Sequence, residues 1–238
     1  MDNRIVSKED SRLNVEDIKY KGETGEVHAY FAMPKGEAKL PGVVVISEIW
    51  GLVDHIKEVA RRVALEGFLT IAPDALSPLG GTPEDLDEAR SLIRKLDSES
   101  TIKNFVAAEK YLETHPRSIG KVGVMGFCWG GGVTNQLAVN SPDLKAAVPF
   151  YGRQPVPEDV SKIKTSLLIH YAGDDERINE GIPAFEAALK EASIDYQLFT
   201  YEGTKHGFFN DTRARYHEEA AKLAWERTIN FFKQKLKT

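Results

Sequence analysis

The sequence predicts an α/β fold: a mostly parallel, doubly wound sheet that begins with an antiparallel hairpin and carries no large cap domain. Three observations predict it. Short β-branched runs such as Gly42-Val-Val-Val-Ile-Ser47 alternate along the chain with stretches of helical periodicity. Continuous apolar runs of this kind fill strands covered on both faces, and repeated strand–helix units build parallel sheets. The first segments instead alternate apolar and polar residues, as a half-exposed hairpin does. No composition shift or Gly/Pro/Ser-rich linker divides the 238 residues. A single domain is therefore expected over residues 15–238, behind an N-terminal lead-in at 1–14.

Taken in order, residues 15–20 and 26–31 flank a turn containing Gly22 and Gly25 and read as the hairpin. The first core strand is 42–47. A helix follows, with Ile56, Val59, Ala60, Val63 and Ala64 on one face and Gly67 as its stop. Residues 68–72 form the next strand. Thr82-Pro83 reads as N-cap and first position of a helix, and a further helix spans 100–113 before His115-Pro116. Strands at 121–127, 145–151, 165–172 and 195–201 then alternate with helices at 130–139 and 181–191. A long helix at 214–235 ends the pattern.

Composition excludes several functions. Lys plus Arg number 31 and Asp plus Glu 36, a net charge of −5. These charges are spread along the chain, which disfavours a nucleic-acid partner. The N-terminus lacks the apolar core of a signal peptide, and the longest apolar stretch, around Val43 to Ile46, is too short to span a bilayer. The expectation is a cytoplasmic protein with no membrane partner; a mature exported chain stripped of its signal would read the same. One cysteine cannot form an intramolecular disulfide. No His/Cys/Asp group has metal-ligand spacing, and Gly130-Gly-Gly lacks a dinucleotide fingerprint, so no metal or cofactor is expected.

The sharpest signal is Gly126-Phe127-Cys128-Trp129-Gly130, set between a predicted strand and a predicted helix. It is a nucleophile elbow with cysteine at the serine position. The tight turn lifts the side chain out of the sheet, and the following helix aims its N–H groups and dipole at the thiol. A lone cysteine is more often packing; the strand–turn–helix setting favours chemistry here. A thiol nucleophile needs a base, and the base an orienting acid. Asp174 and Asp175 follow the 165–172 strand, and His206 follows the 195–201 strand, in the order nucleophile, acid, base. The other five of the six histidines, His28, His55, His115, His170 and His217, sit on predicted strands or helices with ordinary structural readings. Spacing alone leaves Asp174 and Asp175 both open.

Together, Gly126-Phe-Cys-Trp-Gly-Gly-Gly132, Asp174-Asp-Glu-Arg-Ile178, Lys205-His-Gly-Phe-Phe-Asn-Asp211 and Ser47-Glu-Ile-Trp-Gly51 resemble the dienelactone hydrolase family of the α/β-hydrolase superfamily. The resemblance runs over about residues 15–236. It implies an α/β-hydrolase fold with Cys128 as nucleophile, His206 as base and Asp175 as orienting acid. It also implies that Glu48 hydrogen-bonds the resting thiol, and that the N–H groups of Trp129 and Ile49 form the oxyanion hole.

The implied substrate is a small carboxylic ester or lactone, cleaved through a thioester by a monomer or small homo-oligomer. Trp50, Trp129, Phe208 and Phe209 are candidates to line an apolar pocket, and Arg153, Arg213 and Arg215 to meet a substrate carboxylate. The loop from Ala72 to Gly81 contains no arginine, whereas dienelactone hydrolases place a carboxylate-binding one there, so another ester is credible. Rival readings are a broad esterase that takes acyl or phosphoester substrates, a redox-responsive thiol protein, and an inactive binding module.

Overall fold

The β-branched and hairpin-patterned runs fold as strands in the computed structural model, which describes residues 5–237. The chain divides into two compact units, with the division between Gly123 and Val124. The first unit contains β1 (Leu13–Gly22), β2 (Gly25–Pro34), β3 (Leu40–Ile46), α1 (Asp54–Leu65), β4 (Leu69–Pro73), α2 (Leu86–Ile93) and α3 (Ser98–Glu113). β5 (Ser118–Phe127) runs across the boundary. The second unit continues with α4 (Trp129–Asn140), β6 (Ala146–Phe150), β7 (Ser166–Asp174), α5 (Glu176–Asn179), α6 (Ile182–Glu191), β8 (Tyr196–Lys205) and α7 (Glu218–Leu236). Single 3-10 segments lie at Ser77–Leu79 and Pro157–Lys162.

The eight strands run in the order β1-β2-β4-β3-β5-β6-β7-β8. β1 pairs antiparallel with β2, in register from Leu13↔Pro34 to Gly22↔Gly25, and β2 pairs antiparallel with β4. The pairs β3/β4, β6/β7 and β7/β8 are parallel. This is the mostly parallel α/β sheet with an N-terminal hairpin that the pattern predicts. In the first unit, α1 packs on β2, β3 and β4, and α3 on β1, β3 and β4. In the second, α4 packs on β6, and α7 on β6 and β7.

Three boundaries differ from expectation, each set by a hydrogen bond that periodicity does not show. The helix expected to open at Thr82-Pro83 starts at Leu86, because Asp85 Oδ1 accepts the Glu88 N–H at 2.8 Å as its N-cap. Thr82 is held by Asp74 instead. The last helix starts at Glu218 rather than 214, capped by His217, whose Nδ1 accepts the Ala220 N–H at 3.3 Å. The lead-in is anchored from Val6 onward: its N–H donates to Glu58 Oε1 at 3.0 Å and its carbonyl accepts from Arg61 Nε at 2.6 Å. Residues 1–4 of the expected lead-in lie outside the described residues.

Candidate active site

Cys128 sits where β5 turns into α4, with φ 57° and ψ −114°, a backbone conformation that L residues rarely adopt and that clusters at functional sites. Its neighbours make the turn possible. A Cβ on Gly126 would lie 2.3 Å from the Gly130 carbonyl oxygen and 2.6 Å from Thr134 Oγ1. Gly131 and Gly152 let α4 approach the end of β6, since a Cβ on Gly152 would stand 2.2 Å from the Gly131 carbonyl carbon. The Cys128 N–H donates to Phe150 O at 3.0 Å, and the first helical bond of α4 runs from the Gly132 N–H to Cys128 O at 3.1 Å. Trp129 is therefore the first residue of a helix whose opening N–H groups make no bond within the helix ladder.

His206 follows β8 and Asp175 follows β7. Asp175 is 7% exposed and its Oδ2 lies 2.5 Å from His206 Nδ1. Asp174, left open by spacing, is exposed. The Asp175 loop is braced by Asn179, whose Nδ2 donates to the carbonyls of Ala172 and Gly173 at 2.8 and 3.1 Å. Burial by itself lowers the His206 pKa. The Asp175 hydrogen bond, then the Cys128 side chain, outweigh burial and raise it to about 9. Because Nδ1 faces Asp175, the influence of Cys128 enters from the Nε2 side. Nε2 is buried and makes no hydrogen bond. Cys128, His206 and Asp175 all belong to the second unit.

The remaining predicted residues divide by burial. Phe208 and Phe209 are 0% and 2% exposed. Phe208 packs on Tyr151 and Tyr201 at ring distances of 5.5 and 5.0 Å, and Phe209 on Phe127 at 5.0 Å. Both are thus part of the aromatic core. Arg153 is exposed, its carbonyl holding Asn135 Nδ2 at 2.9 Å on α4. Arg215 is exposed and Arg213 half-buried. In the first unit, Glu48 is 5% exposed just past β3, with Ile49 and Trp50 half-buried behind it.

Sequence reasoning missed Tyr151, which is fully buried at φ 38° with its ring 5.0 Å from that of His206. No pattern in Phe150-Tyr-Gly announces this role.

His170, inside β7, lies in a contrasting environment. It is fully buried, with Nδ1 2.9 Å from the Tyr201 hydroxyl and Nε2 3.1 Å from Thr228 Oγ1. Arg227 can only donate, and it reaches the Tyr201 oxygen at 3.1 Å. The Tyr201 proton therefore points to His170 Nδ1, and Nε2 carries the hydrogen given to Thr228. Thr228 passes its own proton to Ala224 O at 2.8 Å. Burial, then the Arg227 charge, lower the His170 pKa to about 3.

Among the described residues, no group of three His, Cys, Asp or Glu side chains could hold a metal ion, and no helix is long and apolar enough to cross a membrane. The family model for the "Dienelactone hydrolase family" matches residues 27–236. A provisionally named carboxymethylenebutenolidase of Saccharolobus solfataricus is 33% identical, over 92% of this chain and 98% of its own length. A solved structure from Klebsiella pneumoniae, provisionally a dienelactone hydrolase, superposes with a TM-score of 0.85 at 28% identity, covering 93% of this chain and 99% of that one. A dienelactone hydrolase-like promiscuous phosphotriesterase from metagenomic libraries superposes at 0.84 with 26% identity, covering 95% and 100%. The four motifs, the mostly parallel sheet and these matches agree: the chain is a hydrolase belonging to the dienelactone hydrolase family.

Proposed function

We propose that the protein hydrolyses a small carboxylic ester or lactone through a Cys128–His206–Asp175 triad and a thioester intermediate. The observation that carries this is the Asp175 Oδ2 contact with His206 Nδ1 at 2.5 Å, beside a cysteine that sits in a strained elbow at the start of α4 and whose side chain helps raise the His206 pKa.

Cys128 Sγ gives its proton to His206 and attacks the carbonyl carbon as a thiolate. With its pKa raised to about 9, His206 holds that proton at neutral pH and then gives it to the departing alkoxide. In a lactone that alkoxide stays tethered to the acyl group. Neutral His206 then takes a proton from water, the hydroxide attacks the thioester, and the sulfur leaves as thiolate. Asp175 holds the ring with Nδ1 turned away from the sulfur and stabilises the imidazolium. Trp129 and Ile49 are read as backbone donors to the oxyanion, and Glu48 as the group that keeps the resting thiol from oxidation. A single cysteine that must stay reduced fits a cytoplasmic location.

Turnover of p-nitrophenyl acetate tests the proposal. Wild type should turn over and leave an acetyl mass increment on Cys128 when quenched early, while Cys128→Ala should do neither. Activity in Cys128→Ala equal to wild type overturns the triad. A second reading, attack on phosphotriesters, is favoured by the similarity to the metagenomic phosphotriesterase. A p-nitrophenyl phosphotriester assayed beside the acyl ester separates the two.

A further inference from the structure

We propose that Asp74 and Thr82 are positioning residues that fix the backbone of the segment between β3 and α1. That segment carries Glu48 and Ile49, so the inference rests on the catalytic roles proposed for them.

The arrangement lies within the first unit. β4 ends at Pro73, and Asp74, 7% exposed, is tied to β2 by its N–H, which donates to His28 O at 2.8 Å. Its carboxylate gathers the loop that follows. Oδ1 accepts the Leu76 N–H at 3.0 Å and the Thr82 hydroxyl at 2.7 Å, and Oδ2 accepts the Thr82 N–H at 2.8 Å. An ionised carboxylate only accepts, so the one Thr82 hydroxyl proton is committed to Asp74. The lone pairs of Thr82 Oγ1 are left to receive the Leu52 N–H, at 2.9 Å. The direction of every bond in this relay is therefore forced.

Close packing fixes the same point. Gly51 has φ 71°, and a Cβ there would stand 2.2 Å from Thr82 Oγ1. The chain then turns through Val53 N–H to Gly51 O at 2.9 Å and enters α1 at Asp54. Leu52 lies three residues after Ile49. Charge-assisted hydrogen bonds are strong and geometrically selective, and an oxyanion donor misplaced by about 1 Å can lose on the order of a hundredfold in rate. A buried carboxylate that accepts three bonds in a loop, one of them from the hydroxyl that receives Leu52, is well suited to hold such a donor.

Thr82→Val keeps the shape but removes the hydroxyl, and Thr82→Ser restores it. Rates should be expressed per folded protein, measured from near-UV circular dichroism and the cooperative unfolding transition, so that loss of folded protein does not count as loss of kcat. Thr82→Val is expected to lower kcat by about 10- to 100-fold with KM within about threefold, and Thr82→Ser to stay within about threefold of wild type. Wild-type kcat in Thr82→Val, or equal losses in both variants, overturns the inference. Should Thr82→Val not fold, amide exchange on the wild-type protein decides. A protected Leu52 N–H supports the relay, and exchange as fast as in an open loop overturns it. If Cys128→Ala is inactive while Thr82→Val is normal, only the positioning role falls. If Cys128→Ala is active, the proposed function falls and takes this inference with it.

Discussion

His206 and His170 lie in the same unit, one just beyond β8 and one inside β7, and burial acts on both in the same direction. Their partners send them opposite ways. The Asp175 carboxylate and the Cys128 sulfur both favour the charged form of the His206 ring, and its pKa rises to about 9. The His170 ring faces two hydroxyls with the Arg227 cation beyond them, so nothing offsets burial and its pKa falls to about 3. Burial sets the cost of charge; the neighbours decide whether it is borne. The first histidine can carry and return a proton at neutral pH. The second is a fixed, uncharged strut between β7, β8 and α7.

The contrast can be broken most directly by activity. His206→Ala and Cys128→Ala should each lose about a thousandfold or more in kcat/KM on p-nitrophenyl acetate, and the double variant little more, because members of one catalytic unit are strongly non-additive. His170→Gln should stay within about tenfold of wild type. A His170 loss matching that of His206 would erase the distinction.

A step smaller, Asp175→Asn removes the strongest influence raising the His206 pKa. Activity should fall by about a hundredfold or more, and the alkaline limb of the pH–rate profile should move to lower pH. An unmoved limb would mean that Cys128 alone sets the titration.

Stability against pH sharpens the comparison further, because the two histidines act with opposite sign. His206 is raised in the fold, so its contribution is complete below pH 6.5, the ordinary value, and is lost as pH climbs through about 9. His170 is lowered, so its contribution is complete above pH 6.5 and is lost as pH falls toward about 3. Each contribution is on the order of a few kcal/mol. In urea unfolding at a series of pH values, His206→Ala should flatten the alkaline side of the profile and His170→Gln the acid side.

The smallest effect belongs to Thr228→Val. It leaves the His170 Nε2–H without its acceptor and should cost about 1–3 kcal/mol in urea unfolding, with kcat unchanged. A large kcat loss would tie α7 to the chemistry.

Much of this was legible along the chain. The parallel strands showed as β-branched runs because both their faces are covered, and the hairpin as alternation. The elbow was legible because its requirements are local: Gly126 faces the Gly130 carbonyl within the same turn, so the constraint is written into adjacent residues. Helix starts were less legible where polar side chains had several uses. Thr82 reads as a cap in sequence, yet it serves Asp74 and Leu52. Tyr151 was invisible, since its place beside His206 depends on how β6 and β8 are set on either side of β7.

The sequence by itself determined the fold class, the tight turn at Cys128 and the order of the loops that carry Asp175 and His206, because each depends on periodicity or on residues within a few positions of one another. Tertiary structure alone decided which aspartate meets His206, that Phe208 and Phe209 belong to the aromatic core, and that His170 is neutral. Those outcomes turn on burial and on partners tens of residues away, 31 between Asp175 and His206 and 58 between His170 and Thr228. A histidine's charge is set by what surrounds it in space, and only folding supplies those surroundings.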